Sequence, residues 1–423
     1  MQAAVHQKSI GQIILSIFFP FWSFILSLRD FRSSSAKAVY FVFCVWIGAV
    51  FIYNVSDTSL SSANVRTSDS SKIALQYITT HNTDVGFKEY FENRDMHDRF
   101  DFFQITSIYF LSRLSGNPRL WFLYIAVIFA FFHVNNTWYV LQRCKKPVNF
   151  IWGLLVALLI FTVPITEGLN ATRMNLAIQI YLFGLLPFLI DGDKKKIWVS
   201  FLCLLVHFSM LLPVVIFIGF AFLPKKNVTP YLVLFFISYL IKTLDIGFIN
   251  NALSYLPLGL DERFGLYTDD ASLEANQTWR EQSSLIYVLS RDARMYICLI
   301  VMLTLAISNK AQLSNSPWKN LLVFALLFYS IANVLASLPS GYRYLRISNI
   351  LLISWILLTF NNLCTKQMKT ALTIVSPILI YAVVWGVRMT FDYLGLETLW
   401  GNFITTIFVE DNNPLSKILG LSY

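Results

Sequence analysis

The sequence predicts an all-α polytopic membrane protein with about eleven transmembrane helices, one broken helical hairpin and interfacial amphipathic helices. Three observations lead there. Of 423 residues, 56% are hydrophobic and 13% charged, whereas a soluble domain carries roughly 25% charged residues and cannot absorb that apolar excess. Apolar runs long enough to cross lipid recur along the whole chain, so a single transmembrane domain over residues 1–423 is expected, with no soluble catalytic domain. The basic residues sit in short clusters between the runs, which makes the net charge of +9 topogenic and argues against a nucleic-acid partner.

The first run, 10–28, is interrupted by Pro20 and ends in Arg29, Arg32 and Lys37, which the positive-inside rule places in the cytoplasm. No small-residue cleavage site follows it, so it reads as retained. A second span, 38–53, opens onto a polar stretch, residues 54–118, the first large outer loop. The end of that loop, 101–114, reads as an amphipathic helix at the outer interface. Spans three to five follow at 120–141, 149–165 and 173–190. Arg143, Lys145, Lys146 and Lys194 to Lys196 fall inside, and a short turn at 166–172 falls outside.

The next run, 197–223, is long for one span and holds His207, Ser209 and Pro213 near its middle, with basic residues at both flanks. Two short helices that enter and leave on one side fit it better, with 207–213 lining a cavity where irregular backbone is tolerated. Under that reading 231–244 crosses outward, and residues 245–292 form a second outer loop with three basic and eight acidic residues. The inner connections then hold fifteen Lys and Arg against three acidic residues, the asymmetry the rule demands. Spans eight to eleven are expected at 293–307, 321–338, 347–360 and 370–387. The tail, 389–423, with an amphipathic stretch at 397–409, is expected outside or at the interface. Cys44, Cys144, Cys203, Cys298 and Cys364 avoid the outer loops and match no zinc spacing.

Ionisable groups at the outer ends of spans are the candidates for chemistry, because charge within a membrane is expensive. Arg173 starts span five among Asn170, Thr172, Asn175 and Gln179, six residues after Glu167. It is a lipid-anchoring arginine, a structural partner of Glu167, or a ligand for pyrophosphate. Arg343 and Arg346 stand three apart before span ten, so on a helix both can grip one pyrophosphate; headgroup anchoring is the alternative. His207 is a structural hydrogen-bonding group or a base. Asp101 follows the charged run Arg94, Asp95, Asp98 and Arg99, and suits an N-cap. Arg263, beside Asp261 and Glu262, is a weaker candidate.

Four stretches in this order resemble the EpsG-like, Wzy-type polymerases of bacterial exopolysaccharide and O-antigen: Asp101-Phe-Phe with Leu114-Ser-Gly-Asn117, Thr172-Arg-Met-Asn-Leu-Ala177, Val206-His-Phe-Ser209, and Arg343 to Arg346. The resemblance implies a membrane glycosyltransferase that joins undecaprenyl-pyrophosphate-linked repeat units at the outer face of the bacterial inner membrane. It implies neither nucleotide sugar nor metal, and no cofactor is expected. A GT-C-like architecture is compatible with it. A chain-length regulator and a flippase of the same pathway are the implied partners. Arg173 matches the family's helix-start arginine, His207 its histidine-aromatic-serine element and Asp101 its acidic position. The early Arg-x-Gly-x-Asp pattern is not recognisable, which leaves the role of the first loop open.

Such a transfer needs cations to hold the leaving pyrophosphate and a base to activate the acceptor hydroxyl. The expected cation site is Arg173, Arg343 and Arg346, with Asn170 and Asn175 as neighbours; the base is Asp101, Glu167 or His207. An O-antigen ligase, a lipid-linked glycan flippase or transporter, and a structural membrane subunit remain alternatives.

Overall fold

The computed structural model describes residues 10–53, 68–93, 101–145, 149–223, 227–241, 285–336, 341–407 and 413–421. Residues 94–100 and 245–284, with Arg263, lie outside the described residues. All regular structure among the described residues is helical. Five helices are long and apolar enough to cross a membrane: Arg119–Leu141, Phe150–Asn170, Thr172–Asp191, Gly341–Leu363 and Lys366–Thr390. Five more apolar helices, Ser34–Ala49, Ile197–Val206, Phe208–Phe222, Thr229–Ser238 and Lys319–Leu335, are shorter.

The difference from about eleven spans has local causes. The first expected span breaks at Phe19 into Ile10–Phe18 and Pro20–Ser27, because proline cannot donate to the preceding turn. Within the described residues the helices at the expected second, seventh and ninth spans run 16, 10 and 17 residues. The outer turn expected at 166–172 is itself mostly helical, Ile165–Asn170. In the tail, only Glu397–Trp400 is α-helical within 397–407, because Gly401 turns extended and the Asn402 side chain accepts from the Ile404 and Thr405 N–H groups. The described part of the stretch expected as the first outer loop is more helical than its polar composition suggests. It holds Asp69–Asn82 and Phe87–Glu92 as well as the expected interfacial helix, Phe102–Leu114.

Thr172–Asp191 is, with Gly341–Leu363, the most buried of the five long helices, and it is the hub on which the segments around the site pack. Gly184 lets the next segment approach closely, since a Cβ there would strike the Lys196 carbonyl and the Ser200 hydroxyl. From that point the run 197–223 folds back on itself. Its first arm, Ile197–Phe201 and Cys203–Val206, climbs beside the hub, and Ser200 Oγ donates to Tyr181 O at 2.7 Å. The helix stops at His207, whose backbone is extended (φ −154°, ψ 115°). The second arm, Leu211–Phe222, descends on the same helix: Tyr181 Oη donates to Pro213 O at 2.9 Å, and Phe217 packs edge-on against Phe188. The turn at His207 therefore stands at the N-terminal end of the hub, beside Arg173.

Candidate active site

Asp101 precedes the first residue of Phe102–Leu114, where a short acidic side chain ordinarily caps the free N–H groups. It makes no such cap. The carboxylate turns inward and is 1% exposed. Arg173 Nη1 donates to Oδ2 at 2.7 Å, the Phe208 N–H donates to Oδ1 at 3.2 Å, and His207 Nδ1 lies 3.1 Å from Oδ1. Burial alone would push this carboxyl up. The hydrogen bond and charge of His207, then Arg173 and the Phe208 N–H, outweigh it and hold Asp101 below the usual carboxylate range. An ionised carboxylate only accepts, so His207 Nδ1 carries the proton. In the neutral ring Nε2 is then the basic nitrogen.

These groups open onto a cavity of about 270 Å³, lined by Asp101, Arg173, His207 and Arg343 together with Asn170. Arg343 is set by a tight approach: a Cβ on Gly341 would collide with the Leu335 carbonyl. Tyr344 Oη then donates to Ser209 O at 3.0 Å and ties that turn to the hairpin turn. Asn170 Oδ1 accepts from the Ser70 N–H at 3.2 Å and joins the loop helix Asp69–Asn82 to the same rim.

The other expected residues form a neighbouring cluster. Arg346 Nη1 donates to Asn175 Oδ1 at 2.6 Å and Nη2 to Glu167 Oε2 at 3.2 Å, while Asn175 Nδ2 donates to Glu167 O at 2.6 Å. Arg343 and Arg346 consequently face different surroundings. The helix that would give them a common face begins only at Tyr344, and Arg343 belongs to the preceding 3₁₀ turn.

Several residues of this region were not singled out by the sequence. Asp69, Lys72 and Gln76 of the loop helix and Gln104 of the interfacial helix also line the cavity. A usable signal was present: Ser68 caps the helix by accepting from the Ser71 N–H, and Ile73 and Tyr77 mark its buried face at a spacing of four. Arg294 donates to Phe161 O at 2.6 Å, close enough to Arg346 and Glu167 for their charges to act on it. It stands well inside Leu285–Ser308, a helix that begins eight residues before the expected span. Among the described residues no three His, Cys, Asp or Glu side chains are grouped to hold a metal ion.

A model of the EpsG family matches residues 77–398, a stretch that holds Asp101, Glu167, Arg173, His207, Arg343 and Arg346. No curated protein and no solved structure matches the chain.

Proposed function

Because this chain belongs to the EpsG family of membrane proteins linked to polysaccharide synthesis, we propose that it is a glycosyltransferase that polymerises polyprenyl-pyrophosphate-linked oligosaccharide repeat units. The Asp101–His207 pair beside Arg173 and Arg343 on one cavity carries this reading. A base next to cations is what the reaction requires. The acceptor sugar's hydroxyl oxygen attacks the anomeric carbon of the donor, and the bond from that carbon to the pyrophosphate oxygen breaks. His207 Nε2 takes the hydroxyl proton, a role worth about 10²–10⁴ in rate. Arg173 and Arg343 hold the negative charge that leaves with the pyrophosphate.

Asp101 acts through His207, fixing its tautomer and stabilising the imidazolium, as the ionised aspartate does in a catalytic triad. Glu167 is engaged by Arg346 and supports the start of the hub helix rather than serving as the base. The proposed setting is the outer face of a bacterial inner membrane, with the two large loops extracytoplasmic. The test is direct: purified protein is incubated with one lipid-linked repeat unit and the products are resolved on a gel. A ladder is expected. Its absence with a matched substrate overturns the polymerase reading.

A further inference from the structure

The cavity has a second kind of lining besides its cations and base. Asp69, Lys72 and Gln76 occupy positions i, i+3 and i+7 of Asp69–Asn82 and so share one helix face, which meets the cavity together with Gln104. Behind that face Ala74 and Tyr77 are buried. Gln104 Nε2 reaches Gln76 Oε1 only at 3.4 Å, and Gln104 is just 9% exposed. Its Oε1 is buried and has no hydrogen-bond partner among the described residues. An acceptor left this way is costly, and a ligand that brings a hydroxyl relieves it once the amide turns toward the cavity.

The chemistry of this lining differs from that around Arg173. Guanidinium groups only donate and suit phosphate, whereas a side-chain amide carries a donor and an acceptor side by side. Two amides in contact match the adjacent hydroxyls of a sugar ring. The loop helix is also fixed in place. The Ser70 N–H donates to Asn170 Oδ1, and Ser71 Oγ donates to Tyr53 O at 2.7 Å. The amide pair is thereby held in register with the head of the hub helix, where Arg173 stands.

We infer that Gln76 and Gln104 form the acceptor-sugar subsite, binding the acceptor ring beside His207 and setting which sugar is extended. The inference rests on the polymerase reading and adds its specificity residues. Sites that hydrogen-bond a substrate hydroxyl discriminate strongly, because an analogue lacking it leaves buried polar groups unpaired.

The test uses the purified full chain, the lipid-linked repeat unit as donor and the delipidated repeat-unit oligosaccharide as soluble acceptor. Gln76→Leu and Gln104→Leu are each expected to raise the acceptor KM about tenfold, the loss of roughly one neutral hydrogen bond. The same variants keep kcat within about threefold and bind inorganic pyrophosphate as the wild type does. An unchanged acceptor KM overturns the inference, and so does a parallel loss of pyrophosphate binding, which marks a collapsed cavity. If the wild type extends no acceptor, the polymerase reading fails, and saturation-transfer NMR with the same oligosaccharide judges the subsite alone. Contact signals that vanish in Gln104→Leu uphold it; signals missing from the wild type, or persisting in the variant, overturn it.

Discussion

Asp101→Asn separates two physical roles that a short acidic residue at a helix start can play. Asparagine caps a helix as well as aspartate does, so a capping role predicts almost no change. The geometry predicts otherwise. Among the described residues three donors converge on the carboxylate: Arg173 Nη1 on Oδ2, with His207 Nδ1 and the Phe208 N–H on Oδ1. An amide of the same size can serve only one side. With its oxygen toward His207 and Phe208, its NH₂ meets the Arg173 guanidinium; turned over, the NH₂ meets His207 Nδ1 and favours the wrong tautomer. Losing a charged hydrogen bond costs about 1.5–3 kcal/mol. The Arg173 side chain is 42% exposed and can recruit water, which lowers the expected loss of stability to about 1–2 kcal/mol. The rate should suffer more, because a base held in the wrong tautomer forfeits much of the roughly 10²–10⁴ that base catalysis supplies. Initial rates of ladder formation and melting temperature in detergent, measured on the same preparation, read both effects. A variant that polymerises within about threefold of the wild type would show that Asp101 is a cap and refute the dyad.

Other perturbations probe the surroundings of the dyad. Glu167→Gln removes the charge that Arg346 holds with both side chains less than a quarter exposed. It should lower stability by about 1–2 kcal/mol and the rate by no more than about tenfold, since the base remains; a loss of rate equal to that of His207→Gln would instead make Glu167 the base. Gly341→Ala drives a Cβ into the Leu335 carbonyl. It should destabilise the protein by about 1–3 kcal/mol and weaken pyrophosphate binding by displacing Arg343, whereas unaltered melting and binding would show that the turn yields freely. The Asp101 pair also has a pH signature. Its carboxyl titrates below the unfolded value of about 3.9, so the unfolded chain binds the extra proton, and the stability it contributes is complete above that value and lost as pH falls through the folded one. The melting-temperature gap between wild type and Asp101→Asn should therefore narrow as pH falls below about 4; a gap that widens there contradicts the assignment.

The parts of this molecule that sequence reveals are those with a local cause. The folding back of 197–223 follows from lysines at both ends of an apolar run, because a single crossing would put one lysine cluster outside. Arg173 and His207 are conspicuous for the same reason: a charged or titratable group in apolar surroundings must be offset by something. What offsets it is not local. Asp101 lies 72 residues from Arg173 and 106 from His207, and its nearest sequence context supplies a sufficient explanation as a cap. The local preference gives way because one buried carboxylate satisfies a guanidinium, a ring N–H and the backbone N–H exposed where the hairpin helix breaks, while the start of Phe102–Leu114 loses only one capping bond.

The same rule explains why Gln76 and Gln104 were hidden. Amides in a polar loop look like solvated surface, and although the Ser68 cap and the Ile73–Tyr77 spacing mark the helix that carries Gln76, they do not mark what its polar face meets. They become informative only once Asn170, at the other end of a long excursion of the chain, fixes the loop helix against the cavity. Composition identifies groups that must be partnered, whereas groups that merely await a ligand become visible in the folded geometry, through a buried acceptor such as Gln104 Oε1 that no described residue meets.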